Sequence, residues 1–169
     1  MLKGSGIHKE FGWKPVGKYH TAGVGSYSID ITNLIDNGEI LIIHANFNPP
    51  NGMFLRVNAD GGANYTYSKH THGNTAGAVH AQADASAQTR FILNAFDRTS
   101  KCEMQLQGYN ANLLLHAKLV GFLDATHYEA IDYMGWYNQD VPYTSLLFDD
   151  GMGANFTADF QLFRGVYSL

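Results

Sequence analysis

"KCEMQLQG" (Lys101 to Gly108) is the stretch that decides the fold. Lys101, Glu103, Gln105 and Gln107 alternate with Cys102, Met104 and Leu106. Successive side chains of a strand point to opposite faces, so this strict period of two describes a sheet with one wet and one buried face. The segment after it, "NLLLHAKLVGF" (Asn112 to Phe122), reads as its neighbouring strand, although its apolar run also fits a helix.

The same pattern extends outward in both directions. "SYSIDITNLI" alternates Tyr27, Ile29 and Ile31 against Ser28, Asp30 and Thr32. "EILIIHANF" is a continuous apolar run, as expected of a strand buried on both faces, and "NPPNG" (Asn48 to Gly52) stops it. "MFLRVNADGGANYTYS" reads as a hairpin, with Asp60, Gly61 and Gly62 supplying permissive backbone angles. "RFILNAF", "HYEAIDYMGWY", "YTSLLFDD" and "ADFQLFRGVYSL" complete the set. Turns recur every ~8–12 residues, which suggests a sandwich or barrel. The expectation is an all-β protein: an antiparallel β-sandwich of jelly-roll type with about nine or ten strands. The best helical candidate is a single turn near "TNLIDNG".

The 169 residues fit one domain, placed at 13–169, with Met1 to Gly12 as a flexible or partner-bound tail. Thr71 to Gln88, "THGNTAGAVHAQADASAQ", holds small residues and no large apolar anchor except Val79. It reads as an exposed loop or an arm that orders against a partner, with a short helix as the alternative.

Composition narrows the function. Charged residues make up 15% of the chain, well below the ~25% of ordinary soluble domains. That fits a surface largely covered by neighbours. A net charge of −4 without a basic run gives no support to nucleic-acid binding. No window reaches the ~18 apolar residues a membrane helix needs. The N-terminus lacks the apolar h-region of a secretory signal. The single cysteine, Cys102, excludes an intrachain disulfide and fits a reducing compartment.

Candidate chemical groups form no complete constellation. His70 and His72 stand two apart, where a strand would put them on one face, with His80 beyond. They could clamp a metal, as in a small hydrolase or cupin-like enzyme, but no zinc spacing accompanies them, and no metal or cofactor is expected. Asp149, Asp150 and Asp159 cluster with Asn155 in a glycine-bearing loop, which suits a β-turn better than calcium. Cys102 sits on an apolar strand face, where a thiol is inert. No nucleophile elbow, phosphate loop or carboxylate pair stands out, so no catalytic residue is assigned. Tyr133, Trp136, Tyr137 and Tyr143 gather around Pro142. Such aromatics pack cores and interfaces, and they also stack on sugars, which motivates a carbohydrate-binding module or lectin-like adhesin as the alternative function.

Three stretches together resemble a known group. "FLRVNADGGANYTYS" (Phe54 to Ser68) resembles a strand–turn–strand motif of many tailed-bacteriophage virion proteins. "GWYNQDVPYTSLLFDDGMGANFTADFQLFRGV" (Gly135 to Val166) is similar to their closing segment, and "GWKPVGKYHTAG" followed by "YSIDI" to their opening strand. Asp159 stands where that pattern has glycine, and "LFRG" replaces "LYG". The residues carrying the resemblance specify fold: Asn58 and Asp60 at the turn, Tyr65 packing across the pair with its hydroxyl in water, and Asn155, Phe156 and Gly165 around the last strand. The resemblance implies a non-enzymatic virion protein on the capsid, neck or tail: a decoration, head-fibre, tail-fibre or collar subunit with a role in host attachment. It implies a homotrimer that contacts other virion proteins and a host-surface glycan, assembled in the host cytoplasm.

Overall fold

The computed structural model describes residues 10–35, 39–73, 81–94, 99–109, 112–122 and 127–168. These residues form twelve strands and no helix. In chain order they are β1 (Glu10–Val24), β2 (Ser26–Asp30), β3 (Ile40–Asn48), β4 (Met53–Val57), β5 (Tyr65–Gly73) and β6 (Ala81–Gln88). There follow β7 (Phe91–Asn94), β8 (Ser100–Tyr109), β9 (Asn112–Phe122), β10 (Tyr128–Tyr137), β11 (Ser145–Asp149) and β12 (Phe156–Ser168). All pairings are antiparallel. One sheet has eight strands in the order β1-β12-β3-β8-β9-β10-β5-β6, and the other has four in the order β2-β11-β4-β7.

The topology is a rolled hairpin. β1 pairs with β12, β2 with β11, β3 with β8 and β4 with β7, so the partners are nested from the outside of the chain inward. Rolling this ribbon brings β12 beside β3 and β11 beside β4. Those eight strands are a double-sheet jelly roll, which makes the expected sandwich the observed one. The remaining four, β9, β10, β5 and β6, extend the larger sheet beyond β8.

The core lies between the layers and follows the period of two. β8 buries Cys102, Met104 and Leu106, β9 buries Leu113, Leu115 and Leu119, and β12 buries Phe156, Phe160 and Leu162. Aromatic pairs join the sheets: Phe148 of β11 lies 4.7 Å from Phe160 of β12, and Tyr65 of β5 meets Phe91 of β7 edge-on at 4.9 Å. Such pairs add about 0.5–1.5 kcal/mol each beyond their buried area.

Several expectations change. The strands number twelve instead of nine or ten: β6 lies in the stretch read as a loop or arm, and β1 in one read as a strand only through the resemblance. β1 begins at Glu10, so Glu10 to Gly12, placed in the tail, belong to a strand; residues 1–9 lie outside the described part. β3 alternates buried and more exposed positions, its outer face open to solvent, so it is not buried on both sides. Of the helical candidate at 32–38, residues 32–34 form a hydrogen-bonded turn, and residues 36–38 lie outside the described part.

Within Thr71 to Gln88, residues 71–73 end β5 and 81–88 form β6, an edge strand paired to β5; residues 74–80 lie outside the described part. A strand at the edge of a sheet needs little apolar side chain, which is why its composition resembles a loop.

The largest correction concerns Phe54 to Ser68. β4 and β5 are not a hairpin. β4 belongs to the smaller sheet between β11 and β7, and β5 to the larger between β10 and β6. The connection crosses between layers, and its left-handed residues are Asn58 (φ 53°) and Ala59 (φ 55°) instead of the glycines.

Candidate functional site

The crossing between β4 and β5 is the most heavily hydrogen-bonded point among the described loops. The Asn58 side-chain oxygen accepts from the Thr144 backbone N–H at 2.8 Å, its hydroxyl at 3.1 Å and the Ser145 N–H at 3.2 Å. Its amide nitrogen donates to the Pro142 carbonyl at 2.8 Å. Asn58 therefore holds the entry to β11 as well as its own turn. These bonds offset the cost of its left-handed backbone, a region Asn tolerates better than most residues.

Asp60 organises the rest. Its carboxylate accepts from the Gly62 N–H (2.7 Å), the Asn64 amide (2.7 Å) and the Tyr137 hydroxyl (2.9 Å). The Asn64 and Gly62 bonds hold its pKa below the ordinary carboxylate value. A Cβ at Gly62 would lie 2.7 Å from the Asn64 amide nitrogen and displace it from its bond to Asp60. The Tyr65 ring is fully buried and its hydroxyl is bonded to backbone at Val57 and Asp60. The expectation of a wet hydroxyl is thus corrected; burial raises its pKa well above the usual tyrosine value.

The acidic loop is also a structural device. Asp149 receives Arg56 at 2.9 Å and Arg90 at 3.5 Å, and it accepts from the Gly151 N–H at 2.8 Å. Arg90 also stacks 3.8 Å above the Phe54 ring. Asp150, fully buried, accepts from Asn51 (2.8 Å), Met152 N–H (3.1 Å) and Ala154 N–H (2.8 Å). Asp159 lies elsewhere, on the outer sheet face, 2.8 Å from His20. Asn155 is exposed, Phe156 is buried at the head of β12, and Gly165 is half-buried opposite Trp13.

The aromatic group divides by strand parity. Tyr133 and Tyr137 point inward and are 1% and 2% exposed. Tyr133 stacks on Tyr67 at 5.0 Å, and Tyr137 packs on Tyr65 at 4.9 Å. Both are core residues. Tyr143 is half-buried against the core. Trp136 points outward, at 38% exposure.

The outer face of the eight-stranded sheet carries the remaining polar chemistry. An open groove of about 390 Å³ is lined by His44, Lys101, Glu103, Lys118, Asp159 and Gln161. His44 sits 3.4 Å from Glu103. The Cys102 thiol below it faces the core, and burial pushes its pKa far up, away from nucleophilic use. A second groove of about 230 Å³ has Leu114, Met134 and Trp136 beside Gln105, Gln107 and His116. His70 and His72 are on β5, and His72 lies 4.0 Å from Asp132; His80 is outside the described residues. Among the described residues no three His, Cys, Asp or Glu side chains gather to hold a metal. Among them, too, no helix is long and apolar enough to cross a membrane.

The sequence reading missed this outer face as a unit. Its signal was present in the outward parity of β8, β9 and β10, but strand neighbours are needed to see it. No family model matches the chain, and no curated protein matches its sequence.

Proposed function

We propose that this chain is a non-enzymatic structural protein of a phage virion, displayed on the capsid, neck or tail as a decoration, head-fibre or collar subunit. The observation that carries the reading is the nested jelly-roll pairing of β1·β12, β2·β11, β3·β8 and β4·β7, an architecture used by viral capsid and lectin domains. A fold alone does not assign function. The ordered likeness of the opening, crossing and closing segments to virion proteins adds to it. So does the use of the polar networks at Asn58, Asp60, Asp149 and Asp150, which bind the protein's own backbone and side chains. In this role the chain assembles in the host cytoplasm as a symmetric oligomer that contacts other virion proteins.

A carbohydrate-binding reading has one specific support, the groove where Trp136 and Met134 lie beside the Gln105 and Gln107 amides. Indole faces and amides suit a neutral sugar. Two measurements separate the readings. Immunogold labelling of purified particles with antibody against the chain decorates the virion surface if the first holds, and unlabelled particles count against it. A glycan array that is silent removes the second.

A further inference from the structure

Nine large hydrophobic side chains are exposed among the described residues. Five of them, Leu114, Phe122, Tyr128, Met134 and Trp136, lie on the outer faces of just two adjacent strands, β9 and β10. Exposed apolar residues scattered singly need no explanation; five gathered on two adjacent strands form a patch, and such patches mark interaction sites. Antiparallel pairing sets the stripe in rows. Leu114 is opposite Trp136, His116 opposite Met134, Lys118 opposite Asp132, Val120 opposite Ala130, and Phe122 opposite Tyr128. Both ends are apolar and the middle carries one charge of each sign. Lys118 has Glu103 on one side and Asp132 on the other, yet makes no ion pair among the described residues.

We infer that this stripe docks a second copy of the chain, through a two-fold axis that runs parallel to the strands between β9 and β10. Such an axis keeps each row in place and exchanges its two strands, so β9 of one copy lies over β10 of the other. Lys118 then meets Asp132 of the second copy at two symmetric places, and the apolar ends of the two stripes close around that row. No row opposes like charges. Twisted sheets packed face to face cross at about 30°. That crossing displaces the ends of the stripe most and its middle least, so the charged row keeps its opposition.

The available area is adequate. Four strands, β8, β9, β10 and β5, spaced ~4.8 Å and ~33 Å long, present roughly 600 Å². A standard interface takes about 800 Å² from each partner, within reach once side-chain relief is included. Other occupants fit less of the pattern. Nucleic acid requires a positive stripe, and this one is balanced. A neutral sugar would use only the Trp136 end and leave Phe122 and Tyr128 unexplained. The contact goes beyond the virion reading and does not depend on it. It builds dimers, or joins trimers in pairs; a bare trimer lacks it.

Analytical ultracentrifugation of the full chain tests this contact. An even number of copies is expected for the wild type. Lys118→Asp and Asp132→Lys, each alone, set like charges together at both central contacts and should halve the mass. Mixed in equal amounts, the two variants should recover the wild-type mass, because aspartates of one then face lysines of the other. Met134→Glu, at the most exposed of the five apolar positions (58%), should also halve the mass without disturbing the core. Circular dichroism establishes that each variant keeps its sheet, and a variant that does not is replaced by Met134→Glu as the deciding case. A monomeric or three-copy wild type, single variants of unchanged mass, or a mixture that stays halved would each overturn the inference. Particle labelling is unaffected by any of these results, so the two proposals fail separately.

Discussion

The Tyr65 hydroxyl accepts a hydrogen bond from the Val57 backbone N–H at 3.0 Å, although β5 and β4 belong to different sheets. The same hydroxyl donates to the Asp60 carbonyl at 3.0 Å. One buried tyrosine thus fixes the point where the chain leaves the smaller sheet for the larger. Tyr65→Phe keeps the ring and removes both bonds, leaving buried backbone groups unpaired. The expected cost is about 1–3 kcal/mol, read as a lower urea midpoint with an unchanged slope. An unchanged midpoint would show that the tether is incidental.

Asn58 should cost more. Asn58→Ala loses the bonds to Pro142, Thr144 and Ser145 and places a less tolerant residue in the left-handed region. A loss of about 2–4 kcal/mol is expected. Asn58→Gly relieves the backbone part only, so it should fall between wild type and Asn58→Ala in the same urea experiment. Equal midpoints for the two variants would mean that backbone strain plays no part.

Two glycines in the loop before β12 separate strain from crowding. Gly151 and Gly153 have nearly the same φ, 78° and 77°. A Cβ at Gly151 would lie 2.2 Å from the Phe54 ring, whereas at Gly153 it meets open space. Gly153→Ala should therefore cost only the backbone term, about 1–2 kcal/mol. Gly151→Ala adds an overpacking cost of about 1–3 kcal/mol. Thermal melts of the pair should differ by several degrees, and coincident melts would refute the close approach of Phe54.

Acid should expose the role of Asp60. The Asn64 amide, then the Gly62 N–H, favour its ionised form and depress its folded pKa. The unfolded group titrates at ~3.9. A depressed folded pKa means that stability is present above the unfolded value and is lost as pH falls through the folded one. Asp60→Asn removes this dependence. The wild type's advantage over Asp60→Asn at pH 7 should shrink by pH 3, measured as urea midpoints at both. A gap that stays constant would contradict the assignment.

Strand content and facing were legible where a strand has one wet side. Cys102, Met104 and Leu106 are buried and Lys101 and Glu103 exposed, as their alternation requires. The same parity rule places Tyr133 and Tyr137 with Ile131 on one face and Trp136 on the other, a signal that grouping the four aromatics by sequence proximity obscured. The crossing at Asn58 was not legible. Val57 finds Leu146 and Tyr65 finds Tyr137, partners far along the chain, and a hairpin and a layer crossing have the same local pattern. β6 escaped notice because an Ala- and Gln-rich edge strand carries no apolar alternation.

We propose that the chain is a stoichiometric part of a virion, offering surfaces and not a reaction centre. Quantitative mass spectrometry of gradient-purified phage particles, from the genome that encodes this sequence, tests it most directly. The chain should stay at a fixed ratio to the major capsid protein through successive gradients. A ratio that falls toward zero with each purification would contradict it.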